Sequence, residues 1–358
     1  MSPLVSLIVI QYGDPSFLWA LMRSVARLDY PNLELVIVDN GSPKVSLAEG
    51  PRISVPVRHV PAESNLGFGG GLNLGIQVAQ GEYLFLLNND IEIDPGCIAQ
   101  LAEAMNSDPS IGMLQPKILD LQDPSYFHSS GAGGMMDIFG YPFARGRIFD
   151  TVEKDAGQYD RPIEVFWASG ASVFVRREAV EQAGLFDPDF FLYMEEIDLA
   201  WRLHLIGRYR IVFAPSARVY HLGCPNLERA NFMRMYYVHR NSLIMLLKNY
   251  ACGTLLCLLP GRLLLELAVA FQSLLVGEWR RAAAIFRAFG SVLHLLPSIL
   301  RKRREVQARR AVGDKPILAR MYWGSIALKY VVAQRRISEI IAAIPTIEYR
   351  RPGEEACP

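Results

Sequence analysis

Short unbroken apolar runs, each ending in polar residues, recur along the first half of the chain. Residues 4–10 form the first and 33–38 the second. The clearest is 83–87, where Tyr83, Leu84, Phe85, Leu86 and Leu87 lead straight into Asn88-Asn89-Asp90. Runs of this kind without alternation read as strands covered on both faces, as in parallel sheets. Shorter runs at 55–60 and 112–117 extend the series. Between them the period becomes helical. Leu18, Leu21, Met22 and Val25 share one face of a helix predicted over 16–28, with Asp14 as N-cap and Pro15 behind it. Asp94-Pro95 repeats the device for a helix predicted to end near Met105, and a Gly-rich loop at 65–73 leads into one predicted over 71–79. The order β-α-β-β-α-β-α-β predicts an α/β fold with a mostly parallel mixed sheet flanked by helices.

Residues 120–160 lack a period and carry many Gly, Pro and Asp, which predicts a mobile surface segment and a candidate lid. Structure is expected to resume at 165–175, followed by a short helix at 177–183. A second helix, entered from Phe190, ends before Gly207, and strands follow at 208–213 and 219–221. From 231 the character changes to long helices, the first predicted over 231–249. Residues 254–276 are the most apolar window and approach the length that crosses a bilayer. Arg262, Glu266 and Ser273 nevertheless fall on one stripe of that helix, and two charges mid-window are rare in a spanning segment. The pattern predicts a helix lying in, or packed at, a membrane surface. Arg280-Arg281 and Arg301-Lys302-Arg303-Arg304 would face an anionic cytoplasmic leaflet. A helical bundle with solvated basic faces is the plain alternative.

Charge sharpens the division. Residues 1–226 hold 16 Lys+Arg against 27 Asp+Glu, a balance of −11, whereas 227–358 hold 21 against 9, a balance of +12. We therefore expect an α/β domain over 1–226 and a helical, membrane-associating region over 227–358. An acidic front half argues against nucleic acid as its partner. Cys97, Cys224, Cys252, Cys257 and Cys357 form no Cys-x-x-Cys pair, so free thiols in a reducing compartment are expected. Met1-Ser2-Pro3-Leu4 has no basic segment ahead of an apolar run, and no secretory signal is expected.

Several polar residues stand where open α/β sheets bind ligands, at the carboxyl ends of the strands. Asp39 ends the second strand; a carboxylate there can accept from the ring N–H of a uracil or thymine, or simply cap the Asp-Asn-Gly turn. Asp90 follows the clearest strand and can hold a divalent ion on a diphosphate, or cap the sheet edge. The glycines of 65–73 can admit a diphosphate to the backbone or make a flexible turn. They lack the Gly-x-Gly-x-x-Gly spacing of a dinucleotide oxidoreductase. Glu195, Glu196 and Asp198 crowd a helix start, where the dipole favours acids. Asp198 is placed to pair with Arg202, leaving a glutamate to serve as a base in an apolar surround. His221 is a competent ligand for Mn²⁺ or a structural imidazole.

In this order the motifs resemble the family 2 inverting glycosyltransferases of GT-A (Rossmann-like) fold, in particular rhamnosyltransferase-like members that build bacterial surface polysaccharides. The residues that carry the resemblance begin with the opening strand to Tyr12, Val38-Asp39-Asn40-Gly41-Ser42, and Asn65-Leu66-Gly67-Phe68-Gly69 with Asn73 and Gly75. They continue with 81–90, Ser169-Gly170, Gly184-Leu185-Phe186-Asp187-Pro188, the segment Tyr193 to Arg202, Val219-Tyr220-His221 and His239-Arg240-Asn241.

The resemblance implies a nucleotide-diphosphate sugar donor, a glycan or lipid-linked glycan acceptor, and Mg²⁺ or Mn²⁺. It implies that Glu196 is the catalytic base and that Asp90 and His221 hold the metal. Gln11, Tyr12, Asp39, Asn65, Gly67, Asn73 and Asn89 would bind the nucleotide, and Trp167, Ser169, Gly170 and Glu195 the acceptor. It places the protein in the cytoplasm or at the cytoplasmic face of the membrane. Two positions depart from the family pattern: Asn88 stands where an acid is usual, and Glu196 where Asp is usual after Glu. A nucleotidyltransferase would want a basic Gly-rich loop after the first strand, where this chain has Gln11-Tyr12-Gly13-Asp14-Pro15. A non-catalytic nucleotide-sugar-binding protein of the same fold is the other alternative.

Overall fold

β1 (Val5–Gln11) is buried at every position, and its side chains alternate between two apolar layers. Val5, Leu7 and Val9 face one layer, with the buried sides of α1 (Pro15–Val25) and α3 (Cys97–Ser107); Ile8 and Ile10 face the other, with α2 (Gly67–Val78) and α5 (Glu195–Ile206). This two-sided burial explains the absence of polar alternation in the strand sequences. The computed structural model describes residues 2–41, 45–223, 232–332, 337–342, 344 and 346–349. Ser42, Cys224, Cys357 and the predicted helix start at residue 231 lie outside them.

The parallel block is β3 (Val57–Pro61), β2 (Leu33–Asp39), β1 and β4 (Tyr83–Asn88), in that spatial order. Next to β4 lies β12 (Ser172–Arg176), antiparallel to it and to β6 (Ile111–Asp120), which in turn runs parallel to β13 (Arg210–His221). β5 (Ile91–Ile93) and β11 (Ile163–Glu164) pair antiparallel with β13, and β14 (Ile347–Glu348) closes the edge beyond β11. The central sheet is thus mostly parallel, with one reversed strand at its middle. α1 starts as expected, with Asp14 accepting from Ser16 N at 2.9 Å.

Several local expectations need correction. β13 is one strand rather than two, because an irregularity between Ala214 and Arg218 interrupts the pattern without ending the pairing. β6 reaches Asp120, and β5 was not anticipated from its three residues. The segment 120–160 is not a mobile surface loop. It contains a four-stranded antiparallel sheet, β7 (Gly134–Met136), β8 (Pro142–Ala144), β9 (Arg147–Ile148) and β10 (Thr151–Val152). Phe127, Ala132, Met136, Phe143 and Ile148 are buried in the main apolar cluster. Its strands are two or three residues long, too short to show a period, and its glycines turn corners between them.

After α4 (Arg177–Ala183) and α5 the chain enters helices α6 (Phe232–Asn249), α7 (Cys252–Leu275), α8 (Trp279–His294) and α9 (Leu296–Ala308). Leu243, Ile244, Met245 and Leu246 of α6 belong to the same apolar cluster as α5. Asp198 makes the predicted pair with Arg202 at 2.9 Å and is also held by Lys248 and Asn249, each at 3.0 Å.

α7 is, among the described residues, the one single helix long and apolar enough to cross a membrane. Its predicted polar stripe turns inward. Arg262, Glu266 and Ser273 are buried, and Arg262 binds Glu266, Ser242 and the Phe139 carbonyl. The opposite face is bare: Leu256, Leu264, Phe271 and Leu275 are 63–74% exposed, and Trp279 and Leu293 of α8 are 63% and 70% exposed.

Candidate active site

Strand register brings the first polar groups together. Gln11 lies opposite Asp39, Asn88 opposite Ile10, and His221 opposite Asp120, all at the carboxyl edge. Buried Asp39 accepts from Val45 N at 3.3 Å, and His59 Nε2 stands 3.8 Å from its Oδ2. Gln11 is fully buried; its Oε1 accepts from Asn89 Nδ2 at 2.8 Å and its Nε2 donates to the Gly13 carbonyl. Tyr12 beside it is 59% exposed.

Asp90 and His221 meet although 131 residues separate them: Oδ1 lies 3.1 Å from Nε2. Asp90 Oδ2 accepts from Gly223 N at 3.0 Å, and Asn88 Nδ2 is 3.3 Å from the same His221 nitrogen. Burial disfavours charge on Asp90, but the hydrogen bond and charge of His221 and the Gly223 N–H outweigh it, holding the pKa below the usual carboxylate value. The other ring nitrogen, Nδ1, is 3.0 Å from Ser129 Oγ and 2.8 Å from His128 Nδ1. Such outer partners fix the orientation of a ligating imidazole.

The donor set fits a divalent ion. Cis ligands at about 2.1 Å from a six-coordinate ion lie about 3 Å apart, close to the Asp90–His221 separation. No group of three or more His, Cys, Asp or Glu suited to a metal occurs among the described residues. A Mg²⁺ or Mn²⁺ ion here would therefore draw its remaining ligands from water and substrate oxygens.

The Gly-rich segment is tied to the strand ends by Asn40. Its Nδ2 donates to Asn65 Oδ1 (3.2 Å) and the Gly67 carbonyl (3.0 Å), while its Oδ1 accepts from Leu66 N. Asn65 Oδ1 also accepts from Gly67 N at 2.8 Å. Gly67 has φ +73°, and a β-carbon there would stand 2.2 Å from the Phe191 carbonyl oxygen, so only glycine fits. α2 consequently begins at Gly67, four residues before the predicted start. Asn73 faces away from this loop: both atoms of its amide engage the Phe186 backbone, at 2.9 and 3.0 Å.

Glu195 and Glu196 open α5. Glu195 is buried, whereas Glu196 is half-buried, its carboxyl carbon 3.5 Å from where a β-carbon on Gly170 would stand. Oε2 of each lies out of contact with solvent and has no hydrogen-bond partner. Burial raises both pKa values. Glu195 is pushed well up, by burial first and the Glu196 charge second, while Glu196 is partly relieved by the N–H groups of Gly170 and Ile197. Ser169 N donates to buried Gln115, and Trp167 Nε1 donates to the Met135 carbonyl at 2.7 Å. A β-carbon on Gly134 would stand 2.2 Å from the Trp167 ring, so the small sheet seats this indole.

This geometry has counterparts. The model of "Glycosyl transferase family 2" matches residues 6–183, which contain the parallel block, Asp39 and Asp90. Residues 6–183 form a glycosyltransferase family 2 domain. The chain is 27% identical over 272 residues to the N-acetylglucosaminyl-diphospho-decaprenol L-rhamnosyltransferase of Mycobacterium tuberculosis, covering 70% of this chain and 86% of that protein. It is 25% identical over 215 residues to the poly-beta-1,6-N-acetyl-D-glucosamine synthase of Staphylococcus epidermidis, covering 60% of this chain and 48% of that protein. Among solved structures, GalNAc-T7 with UDP, GalNAc and Mn2+ superposes with a TM-score of 0.54 at 17% identity, covering 70% of this chain and 49% of that one. S. aureus TarS 1-349 in complex with UDP-GlcNAc gives 0.52 at 16%, covering 95% and 90%. These likenesses show the GT-A fold.

The family 2 enzyme holds its glutamates from behind. Phe191, Tyr193 and Met194, just before α5, have φ of +61°, +67° and +73°. Asn241 of α6 donates from Nδ2 to the carbonyls of Phe190 (2.9 Å), Leu192 (2.9 Å) and Tyr193 (2.8 Å). Arg240 donates to the carbonyls of Asp189 (2.7 Å) and Phe190 (2.9 Å). Sequence reasoning noted His239-Arg240-Asn241 and Asn40 within motifs but gave them no role, and it did not single out His128 or Ser129. Only for Asn40, beside Asp39, was there a local signal.

Proposed function

We propose that this glycosyltransferase moves a sugar, rhamnose or another hexose, from a nucleotide-diphosphate donor to a hydroxyl of a lipid-linked or growing polysaccharide acceptor, with inversion. The observation that carries the reading is Glu196: a carboxylate with an unpartnered buried oxygen, at the start of α5 beside Gly170. Glu196 takes the proton from the acceptor hydroxyl as that oxygen bonds to the anomeric carbon. The bond from that carbon to the donor diphosphate breaks on the opposite face, and the nucleoside diphosphate leaves with the electron pair. Asp39 reads the base, and Asn40 and Asn65 hold the Gly67 loop beside the diphosphate. Asp90 and His221 would hold Mg²⁺ or Mn²⁺, and such an ion offsets charge on the leaving diphosphate. Complexes of the fold neighbours with UDP, UDP-GlcNAc and Mn2+ agree with this donor chemistry.

The acceptor reading rests on the named substrate of the mycobacterial relative and on the bare apolar face of α7 and α8, which is suited to the cytoplasmic surface of a membrane. Burying six such side chains is worth on the order of 10 kcal/mol. The test is a panel of nucleotide sugars, dTDP-rhamnose and UDP-hexoses included, assayed with and without Mn²⁺ on a polyprenyl-diphosphate-linked saccharide. Transfer with net inversion that Glu196→Gln slows about 100-fold or more is expected. Transfer at the wild-type rate by that variant would refute the mechanism.

A further inference from the structure

A second cavity lies away from the strand ends. It is a groove of about 940 Å³ between α6, α7, the small sheet and residues 327–330. That volume is near the top of the about 300–1,000 Å³ range of ligand clefts. At one end stands Met194, the residue before Glu195. At the other are Gly277 and Trp279, at the α7–α8 turn where Leu275, Val276 and Trp279 are bare. The groove therefore runs from the residue before the glutamates to the apolar face.

Its lining is of two kinds. Leu265, Val269 and Leu328 supply apolar wall, while Arg147, Arg234, Arg280 and Arg281 supply charge. Asp150 and Glu278 are the acids among the lining residues, and Arg262 is already engaged by Glu266. Arg281 also contacts Glu278 at 3.7 Å. Among the described lining residues, four arginines stand beside these two acids. The Arg234 guanidinium lies 5.8 Å from the Tyr193 ring, one residue from Met194. Positive charge thus begins next to the reacting end and continues to the surface where an apolar tail would lie.

Resting on the acceptor reading above, we propose that this groove binds the diphosphate and first prenyl units of a polyprenyl-diphosphate-linked saccharide. The arginines grip the diphosphate, Leu265, Val269 and Leu328 cover the first prenyl units, and the sugar end reaches past Met194 to Glu196. The tail leaves along Trp279 into the membrane. Arginine suits this task because its fixed fork of donors matches phosphate oxygens and its charge persists at any physiological pH.

The test is calorimetric binding of farnesyl diphosphate to the full chain, with no sugar transfer involved. Saturable binding at least 10-fold tighter than that of farnesol or of inorganic diphosphate is expected. The double variant Arg147→Gln/Arg280→Gln should weaken it at least 5-fold while leaving nucleotide-sugar binding and melting temperature unchanged. Equal affinity for farnesol, wild-type affinity in the double variant, or displacement of the probe by phosphatidylglycerol vesicles would each overturn the proposal. The last result would make the groove a plain membrane contact. A protein that binds farnesyl diphosphate as described but transfers no sugar to any lipid-linked saccharide keeps the groove and refutes the acceptor reaction instead.

Discussion

Replacing Asn241 by leucine keeps a branched outline and removes the N–H donors that three carbonyls share, at 2.8–2.9 Å. Asn241 is fully buried, so water does not take their place. Each buried polar group left unpaired costs about 1–3 kcal/mol. The Phe190 carbonyl keeps Arg240, so the Leu192 and Tyr193 carbonyls left unpaired amount to roughly 2–6 kcal/mol. Part of this is regained, because Phe191, Tyr193 and Met194 each hold a left-handed backbone that costs about 1–2 kcal/mol. Freed of the clamp, the segment relaxes toward ordinary dihedrals, and the start of α5 moves with it. A net loss of about 2–3 kcal/mol is expected, seen as a drop of several degrees in melting temperature. A shift of about 1 Å at Glu196 should cost on the order of 100-fold in kcat. KM for the donor should hold, since Asp39 and the Gly67 loop are tied to the sheet by other residues. The assay is steady-state transfer at saturating donor together with thermal unfolding. A variant that loses the stability but keeps wild-type kcat would show that the clamp supports the fold without placing the base.

Other expectations are as direct. Glu196→Gln should lower kcat by 100- to 10,000-fold, the usual range for loss of a general base, and Glu195→Gln far less. With its pKa raised by burial, Glu196 should give an acid limb of kcat/KM above the usual carboxylate range, activity rising with pH, and Glu195→Gln should leave that limb in place. A wild-type limb in an active Glu196→Gln enzyme would refute the assignment. His204 is buried with its pKa pushed down to about 3, and Nε2 lies 2.9 Å from the Phe166 carbonyl. The unfolded chain binds that proton near pH 6.5 and the folded chain does not. Stability should therefore be complete above about pH 6.5 and fall by up to about 1.4 kcal/mol per pH unit below it; denaturant melts at pH 7.5 and 5.5 that differ in the opposite sense for wild type relative to His204→Asn would contradict this. Leu264→Glu/Phe271→Glu should abolish sedimentation with anionic vesicles without lowering the melting temperature, because both side chains are more than 60% exposed.

How much of this was legible in the sequence depended on distance along the chain. The runs that became β1, β2 and β4 could be placed within a residue or two, because burial on both faces leaves an unbroken apolar string. The family resemblance began in those runs and continued through the short motifs at 169–170, 184–188, 193–202, 219–221 and 239–241. The small sheet was hidden because two- and three-residue strands carry no period, and β5 for the same reason. The pairing of β12 between β4 and β6 joins elements more than fifty residues apart, which no local pattern encodes. Asp90 and His221 were singled out separately, but their contact, and the ring partners His128 and Ser129, depend on β13 running beside β6. The inward turn of Arg262 and Glu266 was half visible: the stripe showed that one face of α7 was polar, but not that Ser242 and the Phe139 carbonyl would meet it.

The hold of α6 on the segment before α5 bears on how such enzymes can be recombined. By charge and composition the seam lies near residue 226, and a chimera maker would cut there. Cutting there separates Asn241 from the carbonyls it engages and Lys248 from Asp187 and Asp198. A donor-binding half transplanted without α6 would arrive with Asp187 deprived of Lys248 and Asp198 left to Arg202 alone. An exchange made after Asn249 carries the whole clamp across, so the portable unit extends some two dozen residues beyond the seam that composition marks.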